Sequence, residues 1–171
     1  MAIEIRPARP EEFDEAGRVT ARSYREFAKP DEPGWQTYLD RLADVQSRAD
    51  KTLVLVAIEE GAILGTATLE LEGRVPGSSL EETPLQPGQA HLRMLGVDPD
   101  ARRRGIGRRL VEACIEEAER QGKTLLTLNT TRRMRAAQDM YESLGFRRST
   151  DLDLGGEFVL LSYELALTNR A

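Results

Sequence analysis

Three parts of this 171-residue chain have residue types and spacings suited to chemistry. The first is the run Arg102-Arg103-Arg104-Gly105-Ile106-Gly107-Arg108-Arg109, which follows a short apolar stretch and a Pro99 turn. It opens a segment whose apolar residues recur at helical spacing. A helix start already carries partial positive charge, so crowded cations are unfavourable there unless an anion sits among them. Glycines let the backbone approach a ligand closely, and first-turn N–H groups have no acceptor within the helix. Strand, glycine loop and arginine-rich helix start together read as a pyrophosphate cradle; a solvated charge cluster is the plainer alternative. The second part is Tyr141 and the third is His91, the only histidine. Phenol and imidazole can both carry protons, and both side chains also serve as ordinary packing residues.

The surrounding pattern predicts the elements that position these groups. Ile3 and Ile5 alternate with polar neighbours as a short strand, and Pro10-Glu11-Glu12 opens a helix with Phe13, Ala16, Thr20, Tyr24 and Phe27 at helical spacing. Residues 29–34 break it, and Trp35 to Arg48 reads as a second helix. Leu53 to Ile58 is a buried strand, and Glu59-Glu60-Gly61-Ala62 turns it into another from Ile63 to Leu71. Residues 73–89 are rich in Gly, Pro and Ser without a period, as in a functional or mobile loop. A strand at 90–97, a helix at 105–121 and a strand at Thr124 to Asn129 make a βαβ unit, so these strands are expected to run parallel. In that helix Ile106, Leu110, Cys114 and Ala118 form the apolar side, which makes Cys114 a buried core thiol. Arg133 to Leu144 is a last helix ended by Gly145, and strands at Phe146 to Ser149 and Glu157 to Leu167 close the chain as a hairpin. The order is that of an α/β fold, a single domain over residues 1–171.

Two familiar phosphate loops do not fit. A P-loop needs GxxxxGK[ST], and Gly105 and Gly107 lack its spacing, lysine and hydroxyl. A dinucleotide fingerprint needs a third glycine where this chain has Leu110. The run instead resembles the [RQ]xxGxG loop of the GNAT superfamily of N-acetyltransferases, as Arg102-x-x-Gly105-x-Gly107. Its setting agrees: an LGVDP strand and turn before it, an LVEACIEEAE helix after it, then AAQDMYESLGF at 136–146, which resembles the family's A-x-x-x-Y-E-x-L-G-F segment. The resemblance covers residues 50–165 and implies a mixed central sheet flanked by helices, with two parallel strands, 90–97 and 124–129, that splay apart.

That resemblance also implies a chemistry: transfer of an acetyl group from acetyl-CoA to the amine of a small molecule or peptide, directly in a ternary complex. The amine must lose its proton, the oxyanion needs hydrogen-bond donors, and the leaving thiolate benefits from an acid. Tyr141 would be that acid, with a core aromatic as the alternative. His91 stands where relatives often carry a glutamate base, with a structural histidine, Glu72 or a water chain as alternatives. Coenzyme A would be held by Leu95, Gly96 and Val97 on the strand, by Arg102, Arg103, Arg104, Gly105, Ile106, Gly107 and Arg108 on the loop, and by Asn129. The chain departs from the family at Met134, where an asparagine is common; Asn129, Thr130 or Thr131 are the polar residues available there as cap or contact. Acceptor selection would fall to Phe27, Trp35, Tyr38, Phe158 and the 73–89 loop. A non-catalytic acyl-CoA-binding regulatory module is the alternative reading, and dimers are common in the family.

Composition narrows the partners. Net charge is −5, with acidic pairs at Glu11-Glu12 and Glu81-Glu82, so duplex nucleic acid is not an expected partner. No apolar run approaches membrane-spanning length, and MAIEIRPARP lacks the apolar region of a signal peptide, so a cytoplasmic location is expected. A single cysteine gives neither an internal disulfide nor a metal framework.

Overall fold

The computed structural model describes residues 2–27, 33–76, 82–153 and 159–168. In chain order the elements are β1 (Glu4–Pro7), α1 (Phe13–Tyr24), α2 (Trp35–Ala43), α3 (Val45–Ala49), β2 (Leu53–Glu59), β3 (Ala62–Glu70), β4 (Arg74–Pro76), β5 (Glu82–Pro84), β6 (Gln89–Val97), α4 (Ile106–Arg120), β7 (Leu125–Thr130), α5 (Arg135–Ser143), β8 (Arg147–Arg148), β9 (Leu152–Asp153) and β10 (Val159–Ala166). This is the mixed α/β order that the sequence pattern predicts. The chain falls into two compact units, Met1–Leu69 with Met94–Cys114, and Glu70–Arg93 with Ile115–Ala171.

In the first unit β1 pairs antiparallel with β2, and β2 with β3. Glu60 and Gly61 have φ 50° and 80°, the left-handed pair that a two-residue hairpin turn requires. Val54, Val56, Ile58 and Ile63 from these strands pack with Ala16 and Val19 of α1 and Val45 of α3. Gly17 sets the approach of α1 to α2, because a Cβ there would overlap the Ala43 carbonyl. The expected second helix is divided. Asp44 leaves helical geometry at φ −87°, ψ 73°, and its carboxylate accepts the Ser47 N–H at 3.1 Å, so it ends α2 and caps α3. Arg48 then donates to the Arg41, Leu42 and Asp44 carbonyls, satisfying groups that the break leaves open. The first helix also stops sooner than its spacing predicts: residues Arg25–Phe27 are a 3₁₀ turn.

In the second unit β6 and β7 run parallel, from Gln89↔Leu125 to Leu92↔Leu128, as the βαβ pattern requires. β10 pairs antiparallel with β7 and with the short β8 and β9. The 73–89 stretch is more ordered than its composition predicts, since β4 and β5 pair as a small hairpin from Arg74↔Pro84 to Pro76↔Glu82. Along β7 and β10 alternate residues face a core: Leu126, Leu128, Leu161 and Tyr163 are buried, while Thr127, Asn129 and Ser162 share the other face.

Candidate active site

The loop that opens α4 has the backbone of an anion cradle. Arg103 and Gly105 are both left-handed, at φ 67° and 74°. Alternation of that kind turns successive N–H groups toward one point, the arrangement that binds phosphate oxygens. The Arg109 N–H donates to the Gly105 carbonyl at 3.1 Å, so the loop passes directly into the first helical turn. A Cβ at Gly105 would meet nothing within 4 Å, which means that glycine is there for its backbone conformation and for an open face.

The arginines correct one expectation. They do not depend on a ligand for all their charge balance: Arg102 pairs with Glu26, Arg104 with Glu59 and Arg108 with Glu112. Arg102 also donates to the Ser23 carbonyl at 3.2 Å. These carboxylates lie far from the loop in sequence, except Glu112, so local charge counting missed them. The left-handed turn, more than unbalanced charge, is the feature that suits the loop to the anion expected there.

β6 bends at Met94, which is left-handed at φ 55° inside a strand. Such a kink re-aims the amides of the residues that follow, Leu95, Gly96 and Val97. Gly96 has no room for a side chain, because a Cβ would overlap Ser23 Oγ and come within 3.6 Å of the Tyr24 ring. Tyr24 begins a row of half-buried rings, with centroids 6.5 Å from Phe27 and 6.1 Å from Tyr38, which is 5.9 Å from Trp35. Phe158, the other aromatic expected to select the acceptor, lies outside the described residues.

Tyr141, on α5, is 5% exposed, with its ring 5.7 Å from Phe146 and 6.0 Å from Tyr163. Of the two roles the sequence predicts for it, acid and core aromatic, its surroundings are those of a packed ring. Tyr163, a fully buried neighbour, donates to Glu142 at 3.0 Å; burial and that bond raise its pKa above the ordinary phenol value.

His91 is 4% exposed, and burial, aided by the Arg93 charge, pushes its pKa down to about 3. Its Nδ1 is 2.7 Å from Thr127 Oγ1, and Gln89 Nε2 donates to that same oxygen at 2.9 Å. An imidazole held that low is neutral at ordinary pH and takes up a proton poorly, which weighs against the base role expected for it. Glu72, the other expected base, is exposed. The buried carboxylate in this region is Glu70, 6% exposed, which accepts from Arg93 at 3.1 Å. Glu70 escaped the sequence reading because only the pairing partner two strands of sequence away reveals it.

Asn129 spends its amide N–H on Ser162 Oγ at 2.9 Å, and Thr130 Oγ1 contacts Met134. None of Asn129, Thr130 and Thr131 caps α5: the N-cap residue is Met134, with no side-chain cap. Thr131 Oγ1 is buried without a hydrogen-bond partner, the one such side-chain atom among the described residues. A buried hydroxyl left unpaired costs free energy, and a ligand group that reaches it would recover that cost.

The Acetyltransferase (GNAT) family profile matches residues 19–146, three quarters of the chain. The chain belongs to that family. Within it, a 62-residue stretch is 45% identical to the [ribosomal protein bS18]-alanine N-acetyltransferase of Salmonella typhimurium, covering 36% of this chain and 42% of that relative. The match thus spans less than half the length of such curated relatives. Whole-chain likeness comes from GNAT structures. One from Desulfovibrio desulfuricans superposes with a TM-score of 0.74 at 20% identity, over 98% of this chain and 100% of that one. A GNAT family acetyltransferase from Brucella melitensis in complex with acetyl-CoA gives 0.66 at 21% identity, over 98% and 89%. At these identities the GNAT fold is what the structures share.

Proposed function

We propose that this GNAT chain is an acetyltransferase that moves an acetyl group from acetyl-CoA to an amine. The observation that carries the reading is the left-handed Arg103–Gly105 turn at the start of α4, within the stretch that the family profile matches. Acetyl-CoA supplies an acyl group already activated as a thioester. The amides opening α4 and the Arg103 side chain hold the pyrophosphate. Backbone groups of Leu95, Gly96 and Val97 hold the pantetheine arm, and one N–H donates to the acetyl oxygen as charge develops there. Tyr141 gives its proton to the leaving thiolate. The amine loses its proton to water, because His91 is too weakly basic in its buried setting. The curated relatives' alanine N-terminus and the Brucella melitensis complex support an amine acceptor and an acetyl-CoA donor.

Thiol release from acetyl-CoA across a panel of amines tests this, with calorimetric coenzyme A binding on the same sample. Binding together with amine-dependent release is expected; binding without release for any amine would overturn the transferase reading, and no binding would overturn the cradle.

A further inference from the structure

Beyond its charge acting on His91, Arg93 has no part in the cofactor reading or the proton chemistry. It follows His91 on the same face of β6, by the two-residue period of a strand, and precedes Leu95 by two residues. Its side chain is mostly buried and its two edges are treated differently. Nη1 donates to Glu70 Oε1 at 3.1 Å, and Glu70 is itself buried. Nη2 faces Glu82 Oε1 at 3.6 Å, beyond hydrogen-bond length, and the Glu82 side chain is 45% exposed on β5. One edge is therefore anchored, and the other is held by a loose carboxylate from a small hairpin.

A guanidinium is a planar fork that takes a carboxylate on two N–H groups. Burying an ion pair such as Arg93–Glu70 is a poor source of stability in itself. What Glu70 does is fix the fork's direction, so that the Nη2 edge presents its donors in a set place. We propose that this edge recognises a carboxylate of the acceptor, and that Glu82 occupies it until the acceptor displaces it. The acceptor is then an amine that also carries a carboxylate, such as a free amino acid. Exchanging Glu82 for that carboxylate leaves the local charge balance unchanged. The inference rests on the acetyltransferase reading, in which the strand that continues from Arg93 holds the thioester.

The test compares glycine, L-alanine and L-leucine with their carboxamides as acceptors. Wild type is expected to favour the free acids roughly 10–100-fold in kcat/KM. Arg93→Lys keeps the charge but not the fork and is expected to lose most of that ratio, chiefly through KM. Glu82→Gln removes the competitor and is expected to raise the ratio. Equal use of acids and carboxamides, or a preference that Arg93→Lys leaves intact, would overturn the proposal. Calorimetric binding of N-acetyl-L-alanine against N-acetyl-L-alaninamide, with and without coenzyme A, reads the same selectivity without turnover. Preference for the acid there supports the carboxylate site even if no amine is acetylated, and absence of preference sinks it even if one is.

Discussion

Arg102 ties the glycine loop before α4 to the end of α1: its guanidinium donates to the Ser23 carbonyl at 3.2 Å and pairs with Glu26. On the proposed reading, a pyrophosphate entering the loop would compete with Glu26 for the same group. Glu26→Gln is therefore expected to tighten coenzyme A binding a few-fold. Arg102→Ala is expected to weaken it about tenfold, the scale of one charge-assisted contact at a half-exposed site. Calorimetric titration at low salt reads both; equal affinities for all three proteins would show that Arg102 belongs to the fold alone. Neither change is expected to shift stability much, since exposed pairs contribute about 0–1 kcal/mol.

Two glycine substitutions separate backbone strain from packing. Gly105→Ala forces a side chain into a left-handed position with open space around it. It is expected to cost about 1–2 kcal/mol and to weaken coenzyme A binding. Gly17→Ala collides with the Ala43 carbonyl and is expected to cost about 1–3 kcal/mol while sparing the cofactor loop. Thermal denaturation should show both variants destabilised, and coenzyme A titration should show weakened binding for Gly105→Ala alone.

Removing the Tyr141 hydroxyl isolates its chemistry from its packing. Tyr141→Phe keeps the ring against Phe146 and Tyr163. The expected result is a fall in kcat of about 100-fold or more, with coenzyme A affinity unchanged. Tyr141→Ala is expected to cost about 3–5 kcal/mol of stability. A Tyr141→Phe enzyme at full speed would assign the proton to another donor.

The pH dependence of stability has a set sign. The buried His91 titrates near 3, against 6.5 in the unfolded chain, so the unfolded state binds more protons between those values. Its contribution is fully present above about pH 6.5 and is lost progressively as pH falls toward 3. Glu12, held down to about 2 chiefly by the Arg6 hydrogen bond, acts the same way below its ordinary value of 4.5. Thermal melts from pH 7 to pH 4 are expected to show a falling Tm. His91→Gln should flatten the upper part of that fall, and Glu12→Gln the lower part. The acid limb of kcat/KM is expected to survive His91→Gln unchanged.

The sequence carried the βαβ unit, the hairpin turn at Glu60-Gly61 and the glycine loop, because each depends on residues adjacent in the chain. It did not carry the division of α2 from α3. Asp44 within Trp35 to Arg48 reads as one more polar helix residue until its carboxylate is seen to accept from Ser47. The β4–β5 hairpin was hidden because three-residue strands have too few alternations to register. Composition at the loop displayed the arginines but not Glu26 and Glu59, which reach them only through the fold. His91 was legible as a residue type at a suggestive position, whereas its basicity depends on burial, which spacing does not encode.

Met94 also bears on how this protein would evolve. A methionine at φ 55° carries a backbone penalty of roughly 1–2 kcal/mol that glycine would not. Propensity reasoning forbids glycine in the middle of a strand, yet here it would release stored strain. Met94→Gly therefore trades that strain against the loss of a half-buried, flexible side chain, and selection at this one position weighs backbone conformation directly against packing.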